Sequence, residues 1–115
     1  RKEVAFELAR APDGGAEVTI DGRSPFSGAR VAELSPRLAQ RLRLRTDMTG
    51  VAVVDVARNS PAAELGLRPR DIVREVNGFR IDSAEALRQV AGQPTRQWMF
   101  TVERDGRLIR QRMLY

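Results

Sequence analysis

The chain reads as a mainly β domain with short helices, and three features point there. Short runs rich in β-branched residues recur, the clearest being Val51-Ala52-Val53-Val54-Asp55-Val56, and such side chains suit a pleated, half-buried surface. Asn77-Gly78 and Asp105-Gly106 are pairs suited to a tight two-residue hairpin turn. Ser35-Pro36 and Ser60-Pro61 each set a capping hydroxyl before a proline, the start signal of a helix. A length of 115 residues holds one modest core in one small domain.

Taken in order, Arg1 to Arg10 (RKEVAFELAR) alternates, with Val4, Phe6 and Leu8 on one face, the period of a half-buried strand. A similar pattern returns at 107–114 in RLIRQRML, where Ile109 and Met113 answer Val4 and Leu8. Pro12-Asp13-Gly14-Gly15 breaks the first pattern as a linker or wide turn. Glu17 to Ile20 is a short strand before the turn at Asp21-Gly22. After Ser35, the spacing of Leu38, Ala39 and Leu42 predicts a helix over Pro36 to Leu42, with Arg37, Arg41, Arg43 and Arg45 on its wet face. Gly50 precedes the central strand, Val51 to Val56.

Ser60 caps a second helix, Pro61 to Leu65, which Gly66 closes in a left-handed conformation and Leu67 anchors. Asp71 opens the run Ile72, Val73 and Val76 that enters the Asn77-Gly78 turn. Asp82 with Glu85 makes a capping-box-like start, and Ala84, Leu87, Val90 and Ala91 then recur at helical spacing over Ser83 to Ala91. Gly92-Gln93-Pro94 ends that helix. Gln97 to Val102 begins the closing hairpin, with Trp98, Phe100 and Val102 on one face, so Trp98 is expected as buried sheet rather than an exposed platform.

The run from Val51 through Ser60-Pro61-Ala62-Ala63 and Gly66-Leu67 to Asp71-Ile72-Val73 and Val76-Asn77-Gly78 strongly resembles a PDZ domain. It is most similar to the peptide-binding PDZ modules that follow the protease domain in bacterial periplasmic HtrA (Do-like, DegP/DegQ-like) serine proteases, in particular the second, C-terminal one. The match is specific over about fifty residues and looser from Pro25 to Tyr115. The resemblance implies a partly open antiparallel β-barrel or sandwich capped by two or three helices, over residues 16–115. It also implies that residues 1–15 are a strand and linker, the tail of a preceding PDZ domain; an ordinary extra edge strand is the alternative. Arg70 stands where the family has Gly, so that turn must form without a residue that freely tolerates positive φ.

Composition excludes whole classes of chemistry. Histidine and cysteine are absent, which removes the usual general base and the soft metal ligands together, and no Ser-His-Asp triad can be assembled. A Ser-Lys dyad would have to use Lys2, the only lysine, in a terminal segment. Asp47, Asp55, Asp71, Asp82 and Glu85 stand at turns or caps and form no calcium cluster, and no glycine-rich loop has nucleotide-binding spacing. The chain is therefore expected to be non-catalytic, without cofactor or metal. It is too short to carry a protease domain as well.

The net charge of +5 is carried by arginines dispersed among Asp and Glu, whereas a nucleic-acid face needs them clustered with stacking aromatics, so no nucleic-acid partner is expected. No apolar run reaches the ~18 residues that span a bilayer, and no secretion signal is present. Because the chain starts inside an apparent strand, it reads as a piece of a longer protein.

By resemblance, Phe26-Ser27-Gly28-Ala29 takes the place of the carboxylate-binding loop. Glycine lets backbone amides converge, and convergent N–H groups bind an anion such as a peptide's C-terminal carboxylate. Read alone, the stretch is better taken as a plain turn. Ala29 to Ala32 would be the edge strand that accepts the ligand as an added strand, Arg30 and Val31 lying within it, and Arg23 or Arg30 would attract the carboxylate at long range. Ala84, Leu87, Arg88 and Ala91 would form the helical wall of the groove, with simple core packing as the alternative for Leu87 and the alanines.

The expected function is capture of extended polypeptide or C-termini. In the parent protein the resemblance implies substrate recruitment or protease regulation, contacts with the protease domain and the other PDZ domain, homo-oligomer formation, and a periplasmic location. An assembly module with little peptide binding is the alternative, favoured if the groove is filled by Arg1 to Arg10 or by a neighbour. A different host, such as an intramembrane metalloprotease or a secretion component, is a third reading.

Overall fold

The computed structural model describes residues 17–45 and 48–114. The strand expected over residues 1–10, the linker over 12–15 and Asp47 lie outside them. The described residues form strands β1 (Val18–Thr19), β2 (Ala29–Glu33), β3 (Val51–Val56), β4 (Ile72–Val76), β5 (Phe79–Arg80), β6 (Gln97–Arg104) and β7 (Arg107–Leu114), with helices α1 (Pro36–Arg41), α2 (Pro61–Leu65) and α3 (Ala84–Ala91). All strand pairs are antiparallel, in one open seven-stranded sheet ordered β1-β2-β3-β4-β6-β7, with β5 paired to β4 beside that path. The three short helices complete the mainly β architecture that the sequence predicts.

Local chemistry accounts for the element ends. Ser35, Ser60 and Ser83 each adopt extended backbone at a helix start and accept a hydrogen bond from the amide three residues on, at 3.1, 3.2 and 3.0 Å. Such bonds satisfy donors that have no partner inside the helix. The cap of α3 is thus Ser83, not the Asp82 expected from the capping-box pattern. Glu85 turns instead to Arg88 on the same helix, Nη2 to Oε2 at 2.8 Å. Asn77-Gly78 and Asp105-Gly106 all have positive φ, as tight hairpin turns require. Arg70 also has positive φ, 81°. Its side chain donates to the carbonyls of Leu42 at 2.8 Å and Arg43 at 3.4 Å, contacts that a glycine could not make.

The core lies between the sheet and the helices. Phe26 sits at its centre, edge-on to Trp98 (centroids 5.8 Å apart) and to Phe100 (5.3 Å), each contact adding about 0.5–1.5 kcal/mol beyond burial. Trp98 is 1% exposed, buried sheet as its parity predicts. Asp71 is also 1% exposed and is held by Arg104 through two bonds, Nε to Oδ1 at 2.8 Å and Nη2 to Oδ2 at 2.7 Å. It accepts a third from the Arg68 amide at 3.0 Å. A carboxylate taken out of water needs this degree of pairing.

One expectation about strand order is corrected. Ala29 to Ala32 is not a sheet edge: β2 has β3 on one side and β1 on the other. Val18 and Ile20 supply the reason. Their alternation with exposed Glu17 and Thr19 lets the short segment bury one face while its backbone pairs with β2.

Candidate functional site

The segment 24–28, strand β2 and helix α3 come together, with α3 packed beside β1 and β2, and the seam between β2 and α3 is the candidate cleft. Its floor and far wall are apolar: Phe26, Ala29, Val31, Ala84, Leu87 and Ala91 are all buried. Arg30 and Arg88 are exposed at its margins. Ser27 and Gly28 are half-buried in the turn at its end. Phe26, Ala29, Val31, Ala84, Leu87 and Ala91 all belong to the buried core cluster, the packing role that was the alternative for Leu87 and the alanines, so of the sequence-selected residues only Ser27, Gly28, Arg30 and Arg88 reach the surface.

The turn is fixed from both sides. The Ser24 hydroxyl accepts from the Phe26 amide at 3.2 Å. The carbonyls of Ser27 and Gly28 accept from the amides of Ala62 (3.0 Å) and Ala57 (2.9 Å), which dock the turn on the start of α2. Gly28 has a φ of 99°, and a Cβ built there would overlap the Ser60 side chain. Only glycine satisfies both the left-handed backbone and the close approach.

The three amides expected to hold a carboxylate are each engaged within the chain. Ser27 N–H donates to the Ser24 carbonyl at 3.2 Å, Ala29 N–H to Phe26 at 3.1 Å, and Gly28 N–H to Ile20 at 2.8 Å. The Ile20 amide in turn donates to the Ala29 carbonyl at 2.8 Å. Farther along, Val18 stands opposite Val31 and Thr19 opposite Arg30. The chain's own residues 18–20 thus run antiparallel to β2 inside the cleft, and the Ile20 side chain, 1% exposed, joins the cluster containing Phe26, Leu87 and Ala91.

Charges at the margins follow the same arrangement. Arg30 meets Glu17 at 3.0 Å and Asp55 at 3.5 Å, and Arg41 reaches Glu17 at 3.7 Å. Donating to the Glu85 carboxylate pushes the Arg88 guanidinium above its ordinary range, with Asp21 adding a smaller attraction. The same bonds hold the Glu85 carboxyl below the usual carboxylate range. Glu17, Val18, Ile20 and Asp21 did not stand out as site residues in the sequence. A short strand was read over 17–20, but nothing in it told which strand it would join.

A depression of about 730 Å³ lies elsewhere, among Phe79, Thr95, Trp98, Met99, Met113 and Leu114. Between β2 and α3, the strand β1 pairs with β2 and packs against α3.

Comparison with known proteins places this geometry among relatives. A family model described as PDZ domain matches residues 25–111. A probable periplasmic serine endoprotease, DegP-like, from Chlamydia muridarum is 35% identical over 83 residues, covering 72% of this chain. A putative serine protease, HhoB, from Synechocystis is 32% identical over 72 residues, 56% of this chain. Among solved structures, an HtrA-type protease, AlgW, with decapeptide superposes with a TM-score of 0.66 at 26% identity over 76% of this chain. The chain spans 17% of the length of each of the first two relatives and 27% of the AlgW chain.

Proposed function

The chain belongs to the PDZ domain family, a class of protein-interaction module, and on that premise we propose that it captures extended polypeptide in the β2–α3 cleft as an added antiparallel strand. One observation carries the reading: the cleft takes a backbone of this kind, since residues 18–20 lie in it with a carbonyl on the Gly28 amide and an aliphatic side chain beside Phe26, Leu87 and Ala91. A peptide ending in an aliphatic residue could form the same bonds, its terminal carboxylate accepting from Gly28 where the Ile20 carbonyl does. Charged acceptors make stronger bonds than neutral carbonyls. Ser27, Gly28 and Ala29 close the end of the cleft, Arg30 and Val31 line the accepting strand, and Ala84, Leu87, Arg88 and Ala91 form the helical wall. The decapeptide in the AlgW structure supports a peptide ligand for this chain.

The chain itself is a protein-interaction module rather than an enzyme, its matched residues 25–111 being those of a PDZ domain. We place it as a module of an HtrA-like serine protease in the periplasm, where bound polypeptide would be delivered to a separate protease domain. Titrating the chain with a peptide of free C-terminus and with its amidated form tests the capture step. The free acid binds more tightly, by about tenfold, if a charge-assisted bond is worth ~1.5 kcal/mol more than a neutral one. Equal affinities would remove the carboxylate role of the Gly28 turn.

A second reading, assembly with little peptide binding, draws on the filled cleft together with exposed Phe79, Met99, Leu108 and Leu114 around β5–β7. Concentration-dependent self-association of the chain, abolished by Leu108→Glu and insensitive to peptide, would favour it over capture.

A further inference from the structure

We propose that residues 18–20 are a resident competitor for the cleft, so that an outside polypeptide binds by displacing them; this rests on the capture reading above. Occupancy is mutually exclusive. β2 already pairs with β3 along its other side, so one strand alone can pair on the side facing α3. The bonds that a terminal residue would make, to the Gly28 amide and the Ala29 carbonyl, are the bonds Ile20 makes at 2.8 Å each. The apolar space such a residue would enter holds the Ile20 side chain.

Outside that point the competitor has one further core contact, half-buried Val18, and little else. β1 is two residues long, Glu17 and Thr19 are exposed, and the turn that follows, Asp21 to Arg23, is exposed throughout. Glu17 meets Arg30 and Arg41 through solvent-exposed pairs, a kind that holds little. A short segment with few buried contacts opens locally before the rest of the fold does. By contrast the turn that would remain behind is tied to α2 through Ala57, Ser60 and Ala62, so the accepting surface outlasts the release of its occupant.

Two consequences follow from mass action. Apparent affinity for an outside peptide equals its intrinsic affinity multiplied by the fraction of molecules whose cleft is open. A displacing ligand must also return an aliphatic side chain to the space that Ile20 leaves, because an apolar hole beside Phe26 and Leu87 is unfavourable.

Thr19 and Arg30 stand opposite each other, both exposed, and the chain has no cysteine. The double variant Thr19→Cys, Arg30→Cys therefore allows a single cross-strand disulfide that locks the segment in place. The probe is the free-acid peptide Ala-Glu-Val-Thr-Ile, which copies residues 16–20, read by calorimetry on the reduced and oxidised forms of the same protein. Oxidation is expected to weaken binding at least ~10-fold by closing the open fraction. Equal binding in both redox states would overturn the proposal while leaving peptide binding itself intact. Absence of binding by the native and reduced forms alike would overturn the capture reading and the proposal together. A second variant pair, Glu17→Ala with Val18→Ser, loosens the segment without a crosslink. It is expected to bind the peptide several-fold more tightly than the native chain, and unchanged affinity there also counts against displacement.

Discussion

Gly28 illustrates how much one position can carry. Its φ of 99° and the nearness of the Ser60 side chain combine two demands that no other residue meets, and both converge on the amide that Ile20 occupies. Gly28→Ala should destabilise the fold by about 2–3 kcal/mol, the sum of left-handed strain and steric overlap, measured by urea unfolding. A loss under ~0.5 kcal/mol would mean that the turn shifts freely and does not define the cleft. Arg70 is the contrasting case. It accepts the same kind of backbone, φ 81°, without being glycine, and two hydrogen bonds from its guanidinium to α1's trailing carbonyls offset the strain. The unusual residue was legible in the sequence, but the compensating bonds were not, because they join positions 27 and 28 residues apart.

Elements show where sequence patterns are read too literally. At the start of α3 the Glu85 spacing favoured Asp82 as the cap of a helix running from Ser83. In the fold Ser83 receives the Ala86 amide at 3.0 Å, while Glu85 is drawn to Arg88. Ser83→Ala should therefore cost about 1 kcal/mol in thermal or urea unfolding, and Asp82→Ala much less; the reverse order would restore the capping-box reading. The strand at 17–20 is subtler. A short strand was expected there, yet strand character is silent about which neighbour the strand will pair with. Only the hairpin that brings Ile20 back to Ala29 reveals it as an occupant of the cleft.

Across the whole molecule, long-range pairs hold the sheet's ends together. Arg104 on β6 ties Asp71 before β4 and also donates to the Gly66 carbonyl at 2.9 Å, at the end of α2. Arg104→Ala strands a buried carboxylate, and the expected loss is about 3 kcal/mol in chemical denaturation; a change near zero would mean that water or Arg68 compensates. What the residue order alone determined is the set of elements: serine caps, Asn-Gly and Asp-Gly turns and β-branched runs act over a few neighbours, so the mainly β class and the three helices were readable. The residues proposed for the cleft came from likeness to a known family. What the tertiary structure decided is who fills that cleft. Hydrogen bonding along β2 and burial of Ile20 are decided by contacts between segments, and local sequence preference does not discriminate an inward strand of the chain itself from one brought by a ligand.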